Sequence, residues 1–382
     1  MSSTRRQFLR SSALGAIAAG ALPALLRSQT PAAAAGGGLI DLHSHWFSPR
    51  SIEILSRRQT GPRFATNAQG QKFLEHLGSD LPSPRGGHFA LGEQWFDIEV
   101  RLRHLDEHGV RRQLISWPTT LGVDAAITPA EARELWGAYN EDLSVVVNRH
   151  SDRLSGVAVL ASGDVAWSAR ELDRAHDQLG LIGAVLPVNG FATREGADAF
   201  APIFAVAQKH KSHIYLHTGY ANASIPGQPP HWQHRDSRAA RGALDNAWNF
   251  AAATITLAFS GFLDAYPDVT VQIAQLGGSG AIALVAEAVE QSADRSGIGD
   301  VAGKFRQIYL DTGAGGRGPQ AIALATKVFG AERIVFGTDY APQASVAPVI
   351  ENIRRSPIAD ADRQKIFFDN ARQLLAAKGV AV

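Results

Sequence analysis

Leu39-Ile40-Asp41-Leu42-His43-Ser44-His45 is an apolar run that ends in a His-x-His pair. In an extended strand, side chains alternate between faces, so His43 and His45 point the same way. Two imidazoles at that spacing, at a strand end, can reach one cation, and neutral imidazole is a frequent ligand of divalent metals. The run therefore reads as a buried first strand whose C-terminal end carries chemistry. Seven further apolar runs follow, at 112–117, 154–160, 183–188, 213–217, 269–274, 307–310 and 333–337. Helical patterns separate most of them, as at Asp97–His108, Pro129–His150, Val165–Leu179, Ala199–Lys211, Gly280–Asp294 and Pro319–Phe329, and two more close the chain near 344–355 and 361–378. Eight buried strands, most followed by a helix, predict an α/β protein built as a closed (β/α)8 TIM-type barrel. A doubly wound open sheet is the alternative. It usually places a glycine-rich phosphate loop after its first strand, and none follows His45. The glycines at Leu276-Gly277-Gly278-Ser279-Gly280 serve a tight strand-to-helix turn as well as they would cradle a phosphate.

Two connections exceed what a barrel needs. Residues 46–96 form a long insertion after strand one, expected to make a lid or pocket wall. Residues 218–241 form a second long loop after strand five, holding Pro229-Pro230-His231-Trp232-Gln233-His234.

In a parallel barrel, the C-terminal strand ends carry the chemistry. His43 and His45 end strand one, His217 ends strand five, Gln275 strand six, Asp311 strand seven and Asp339 strand eight. Three imidazoles and one carboxylate on one rim make a catalytic site for a divalent metal with positions open to water or substrate. The expected metal ligands are His43, His45, His217 and Asp339. That donor set suits one zinc ion, with manganese as the alternative. With no cysteine in the chain, the site must be built from His, Asp or Glu, and disulfides are excluded. Other motifs weigh less. His104 and His108 lie four apart on one helix but lack the Glu of the metalloprotease pattern, and read as a solvated face. Trp46 and Trp117 either wall an aromatic pocket or pack under the insertion. Ser162, Ser224 and Ser279 lack a Gly-x-Ser-x-Gly elbow, which argues against a serine hydrolase.

The whole pattern resembles the amidohydrolase superfamily, in its aminocarboxymuconate-semialdehyde decarboxylase-like branch. The resemblance rests on Ile40-Asp41-Leu42-His43-Ser44-His45, on Trp95–Arg101 with Leu105–Val110, on Ser260–Asp268, on Arg333–Tyr340 and on Asn370–Leu375. It spans about 39–378. It implies a barrel with one metal on the same four ligands. It also implies a histidine at the end of strand six, where this chain has Gln275, a residue that hydrogen-bonds but does not titrate. Proton transfer then falls to Asp339, to His231 or His234, or to water at the metal. The branch's substrate-binding arginine has candidates in Arg57, Arg58, Arg63, Lys72 and Arg85. The implied activity is non-oxidative decarboxylation of a small aromatic or unsaturated carboxylic acid. Two alternatives stand beside it: hydrolysis of a small ester, lactone or amide with Asp339 as sole base, and a metal-binding relative without catalysis.

Residues 2–10 are basic, Ala13–Leu26 is apolar, and Ala32–Ala35 is small. Arg5-Arg6 before Phe8-Leu9 resembles a twin-arginine export signal over 1–35, leaving 36–382 as a periplasmic or secreted barrel domain. The apolar stretch is too short for a comfortable membrane span. Residues 1–35 contain four arginines and no acid, so the formal charge of +1 becomes −3 without them. Nothing in that balance suggests nucleic acid. The expected partner is a small-molecule substrate, with no membrane insertion of the mature chain and a homodimer as the assembly to test.

Overall fold

The computed structural model describes residues 38–75, 88–230, 236–298, 300–313 and 318–382. The proposed export signal, His231, His234 and Arg85 lie outside them. In chain order, the first elements are β1 (Leu39–His45), α1 (Pro49–Ser56), α2 (Ile98–Glu107), β2 (Val110–Ser116), α3 (Pro129–Arg149) and β3 (Leu154–Gly156, resumed at Ala158–Val159). Next come α4 (Val165–Asp177), β4 (Gly183–Pro187), α5 (Ala201–His210), β5 (His213–His217), α6 (Arg238–Phe259) and β6 (Thr270–Ile273). The series ends with α7 (Gly280–Gln291), β7 (Ile308–Asp311), α8 (Pro319–Phe329), β8 (Ile334–Val335), α9 (Ala347–Arg355) and α10 (Asn370–Ala377).

Every strand from β1 to β8 pairs in parallel with its neighbour in sequence. The ring closes between last and first: Leu42 N–H donates to the Phe336 carbonyl at 2.9 Å and Asp339 N–H to the His43 carbonyl at 2.8 Å. The barrel predicted from the alternation is therefore the observed architecture. Its strands are largely buried on both faces because helices cover the outside and side chains fill the inside. Local chemistry sets the helix starts. Asp97 caps α2 by accepting from Glu99 and Val100 N–H. Thr128 and Glu131 form a capping box on α3, with Pro129 in its first turn. The glycines after β6 serve a turn: a Cβ on Gly278 would meet the Ala247 carbonyl oxygen of α6 at 2.5 Å.

The described part of the insertion after β1 holds α1 and a three-stranded antiparallel sheet of Arg63–Thr66, Lys72–Glu75 and His88–Ala90. Phe47 anchors it, stacked on Trp95 at 4.8 Å and set edge-on to Phe64 at 5.1 Å. The second long loop is shorter than 218–241 suggests, because α6 already begins at Arg238. Among the described residues, no helix is long and apolar enough to cross a membrane.

Candidate metal centre

β1 delivers His43 and His45 to the rim, β5 delivers His217, and the turn after β8 delivers Asp339. One donor atom from each lies within 4.8 Å of the others. His43 Nε2 and His45 Nε2 stand 3.3 Å and 3.0 Å from Asp339 Oδ1. The His217 ring centroid is 4.9 Å from that of His43 and 4.4 Å from that of His45. All three imidazoles are buried.

Their outward nitrogens fix the tautomers. The Ser116 hydroxyl donates to the Ser44 carbonyl at 3.1 Å, so its oxygen accepts from His45 Nδ1–H at 3.2 Å. The Thr119 hydroxyl donates to the Thr218 carbonyl at 2.8 Å and accepts from His217 Nδ1–H at 3.1 Å. The Asp311 carboxylate accepts from His43 Nδ1–H at 3.1 Å. Each ring thus carries its proton on Nδ1 and turns an Nε2 lone pair inward. His43 Nε2 is buried without a hydrogen-bond partner. Lone pairs facing a carboxylate oxygen at 3 Å repel unless a cation lies between them. Metal–ligand bonds of about 2 Å in tetrahedral array span about 3.3 Å between donors, so these residues fit a divalent ion.

The protonation states agree. Burial pulls His43 down, but the charges and hydrogen bonds of Asp311 and Asp339 outweigh it and push the pKa up to about 10. Burial alone would raise Asp339; the His43 and His45 rings beside its carboxylate hold it well below the ordinary carboxylate range. Burial lowers His45 despite Asp339. Burial, with His45 and His43 alongside, takes His217 well below an ordinary histidine. The two carboxylates thus favour positive charge at His43, on the side where a cation would lie.

A buried polar frame holds the centre. Asp41 accepts from His43 N–H at 3.0 Å, Gln113 Nε2 at 2.6 Å, Thr338 N–H at 3.0 Å and the Thr338 hydroxyl at 2.6 Å. Arg101 of α2 donates to the His45 carbonyl, to Ser44 Oγ at 3.2 Å and to Gln113 Oε1 at 2.5 Å, and covers the Tyr340 ring at 5.0 Å. Gly337 is required beside it: a Cβ there would meet His43 Cβ at 2.7 Å. Asp339 itself has φ +60°, a conformation Asp tolerates better than most residues.

Gln275 follows β6 with φ +54° and is 8 % exposed. Its N–H donates to Asp311 Oδ1 at 3.0 Å, and its side-chain oxygen accepts from Asn246 of α6. Gln272 donates to Asp311 Oδ2 at 2.7 Å. Four of the five basic candidates lie among the described residues, and each has a partner of its own. Arg57 pairs with Glu53 and Glu134, Arg58 with Glu131, Arg63 with Glu75, and Lys72 covers the Phe96 ring. None of the four contacts His43, His45, His217 or Asp339. His104 is not a solvated residue: it stacks on Tyr340 at 4.9 Å and accepts from Val346 N–H at 3.2 Å. Trp46 packs, donating to the Phe96 carbonyl at 3.1 Å, whereas Trp117 lines a small cavity beside Thr119. The sequence alone assigned no role to Asp311, Asp41, Arg101 or Asn246. Arg101 carried a signal, since it shares the buried stripe of α2 with Leu105.

A family model described as amidohydrolase matches residues 40–376. A gamma-resorcylate decarboxylase from Polaromonas sp. (strain JS666 / ATCC BAA-500) is 24 % identical over 329 residues, covering 78 % of this chain and 96 % of the relative. Another from Rhizobium radiobacter is 26 % identical over 323 residues, covering 76 % and 93 %. Among solved structures, a 2,6-dihydroxybenzoate decarboxylase from Rhizobium superposes with TM-score 0.63 at 20 % identity, over 89 % of this chain and 99 % of that one. A 5-carboxyvanillate decarboxylase from Novosphingobium aromaticivorans DSM 12444, complexed with manganese, gives 0.63 at 18 % identity, over 89 % and 96 %.

Proposed function

The chain belongs to the amidohydrolase family, and from that premise we propose that it is a metal-dependent carboxy-lyase, removing carbon dioxide without oxidation from a small aromatic or unsaturated carboxylic acid. Likeness along almost the full length of gamma-resorcylate decarboxylases carries the choice of reaction. The inward-facing Nε2 atoms opposite Asp339 support the metal. His43, His45, His217 and Asp339 would hold it, as zinc by donor type or as the manganese found with three similar structures. When bound, it supplies positive charge that holds the substrate's oxygens and steadies the charge built up as the carbon–carbon bond breaks.

The protein's own groups do the rest. With Nδ1–H committed to Asp311, Ser116 and Thr119, the imidazoles do not carry the proton. Asp339 directs Oδ1 at His43 and His45, and Oδ2 has no hydrogen bond to a described residue. Asp339 is ionised at rest, so the proton that this oxygen relays to the carbon bearing the carboxylate is first taken from the substrate's own acid group or from water. The bond to carbon dioxide breaks, its electron pair stays on the substrate carbon, and Asp339 is left ionised. Gln275 contributes a hydrogen bond only.

Gln275 also favours a second reading, hydrolysis of an ester, lactone or amide, which runs with Asp339 as sole base. Turnover of the metal-loaded mature protein on carboxylic acids and lactones, with and without chelator, separates the readings. Chelator-sensitive release of carbon dioxide supports the lyase. Released acid from lactones supports the hydrolase, and neither product points to a relative without catalysis.

For location, we propose a twin-arginine signal over residues 1–35 and work outside the cytoplasm. Changing Arg5 and Arg6 together to Lys should leave unprocessed precursor in the cytoplasm; unchanged export would refute the assignment.

A further inference from the structure

Beneath the metal centre, the barrel interior holds a line of polar side chains that the reaction above does not use. β5 and β6 start level with each other, with His213 opposite Thr270. Gln272 stands two residues further along β6, so alternation turns it to the same side as Thr270. His213, Gln272 and Asp311 are fully buried. Thr270 Oγ1 lies 3.1 Å from His213 Nδ1, His213 Nε2 lies 3.1 Å from Gln272 Oε1, and Gln272 Nε2 lies 2.7 Å from Asp311 Oδ2. Asp311 Oδ1 then meets His43 Nδ1 at 3.1 Å. The line runs from the floor of the barrel, where β5 and β6 begin, to its rim.

Each donor in this line is fixed by its neighbours. Gln272 Nε2 gives its hydrogens to the Asp311 carboxylate and, at 3.0 Å, to the Leu42 carbonyl. Both partners only accept, so the amide has one orientation, and its Oε1 faces His213 as an acceptor. His213 therefore donates from Nε2. Burial, with Lys378 nearby, takes its pKa down to about 3, so the ring is neutral and its Nδ1 accepts from the Thr270 hydroxyl. That tautomer is the opposite of the one in His43, His45 and His217. Three hydrogen bonds thus point head to tail at one carboxylate, and bonds in such a chain strengthen one another. Among the described residues, no Lys or Arg pairs with Asp311; the N–H groups of Gln272, Gln275 and His43 face it instead.

We propose that Gln272 and His213 are positioning residues of the metal centre: they hold the Asp311 carboxylate in the orientation that keeps the His43 ring with its Nε2 aimed at the cation. The inference rests on the reading that His43, His45, His217 and Asp339 bind a divalent metal. Without the Gln272 amide, Asp311 loses the shortest of these three hydrogen bonds and with it a restraint on the carboxylate plane. Without the His213 N–H, Gln272 Oε1 becomes a buried acceptor with no donor, and turning the amide off Asp311 relieves that cost. Partners that orient metal-binding histidines from outside are worth about 10–100-fold in metal affinity. Ligand geometry at the rim is then set partly from the floor of the barrel.

Zinc affinity is read by chelator competition at one pH, and folding by far-ultraviolet dichroism. Gln272→Leu should weaken zinc binding about 10–100-fold. His213→Phe keeps a ring but has no donor, and one link further out it should weaken binding by about 3–10-fold. His213→Gln, whose Nε2 can donate where the imidazole did, should recover most of that loss. A purely structural role would lower the urea midpoints of Gln272→Leu and His213→Phe and leave the zinc affinity of the folded protein unchanged, which overturns the proposal. His213→Gln binding zinc as poorly as His213→Phe overturns it too. Nitrogen-15 NMR of the wild-type histidines, assigned through bonds, should show the proton of His213 on Nε2. A proton on Nδ1 there breaks the chain of donors and overturns the proposal even if no variant folds. A wild-type protein that takes up no zinc or manganese refutes the metal reading and the proposal together, whereas normal wild-type uptake with unchanged variants refutes the proposal alone.

Discussion

Metal uptake by the apoprotein should strengthen about tenfold per pH unit between about pH 7 and 9. In this window His45 and His217 are already neutral, because burial lowers both, and Asp339 is already ionised. His43 alone is protonated, its pKa raised to about 10 by Asp311 and Asp339 against the pull of burial. Each ion bound must therefore displace one proton, and each pH unit is worth about 1.4 kcal/mol of affinity. Across two units the dissociation constant should fall about a hundredfold. Three ordinary imidazoles would behave otherwise: above about pH 7 they are neutral, and affinity would be nearly flat. Chelator competition at pH 7, 8 and 9 measures the slope. Calorimetry in buffers of different ionisation heat should count one proton released per ion at pH 8. A flat profile, or two or three protons released, would refute the assignment of the proton to His43. Stability of the apoprotein should move the opposite way. A raised histidine pKa stabilises the fold fully below the unfolded value near 6.5, and that contribution fades as pH climbs toward about 10.

Replacing His43 and His45 together by Ala should abolish metal binding, read by elemental analysis, while the far-ultraviolet dichroism of the barrel remains. Gln275→Ala should keep the metal and lower the turnover rate by about 10²–10³, as for loss of one charge-stabilising donor; loss of metal would make Gln275 a ligand. Arg101→Met should destabilise the apoprotein by about 2–4 kcal/mol in urea unfolding, because it leaves buried acceptors on His45, Ser44 and Gln113 without their donor.

The parts that were legible in the sequence are those with local periodicity. His213–His217 and Pro319–Phe329 are read to the residue, because a short apolar run and a clean amphipathic pattern each stop abruptly. That His43, His45, His217 and Asp339 would meet was legible for a related reason: in a parallel barrel every strand ends on the same rim, so finding the ends finds the cluster. The start of α6 was not, since Gly242, Asn246 and Asn249 interrupt its apolar face and Thr254, Ile255 and Thr256 favour strands. The frame was not legible either. Asp311 meets His43 across 268 residues and Thr338 meets Asp41 across 297, and no local pattern registers such pairs. The basic residues of the insertion could not be ranked from sequence, since a charge on a loop looks the same whether it meets substrate or a surface glutamate.

Asp311 gives position 275 an unusual independence. The same carboxylate oxygen holds the His43 imidazole and the Gln275 backbone N–H. The turn after β6 is thus tied to the metal centre through the main chain, whatever side chain stands there. Histidine enters left-handed backbone more readily than most residues, so the φ of +54° at Gln275 is no barrier to exchange. The site behaves like a socket with one interchangeable fitting: chemistry at this corner can be gained, lost or altered by a single substitution, with the ligand geometry left in place. A lineage, or an engineer, could move between a titrating and a non-titrating enzyme without rebuilding the barrel.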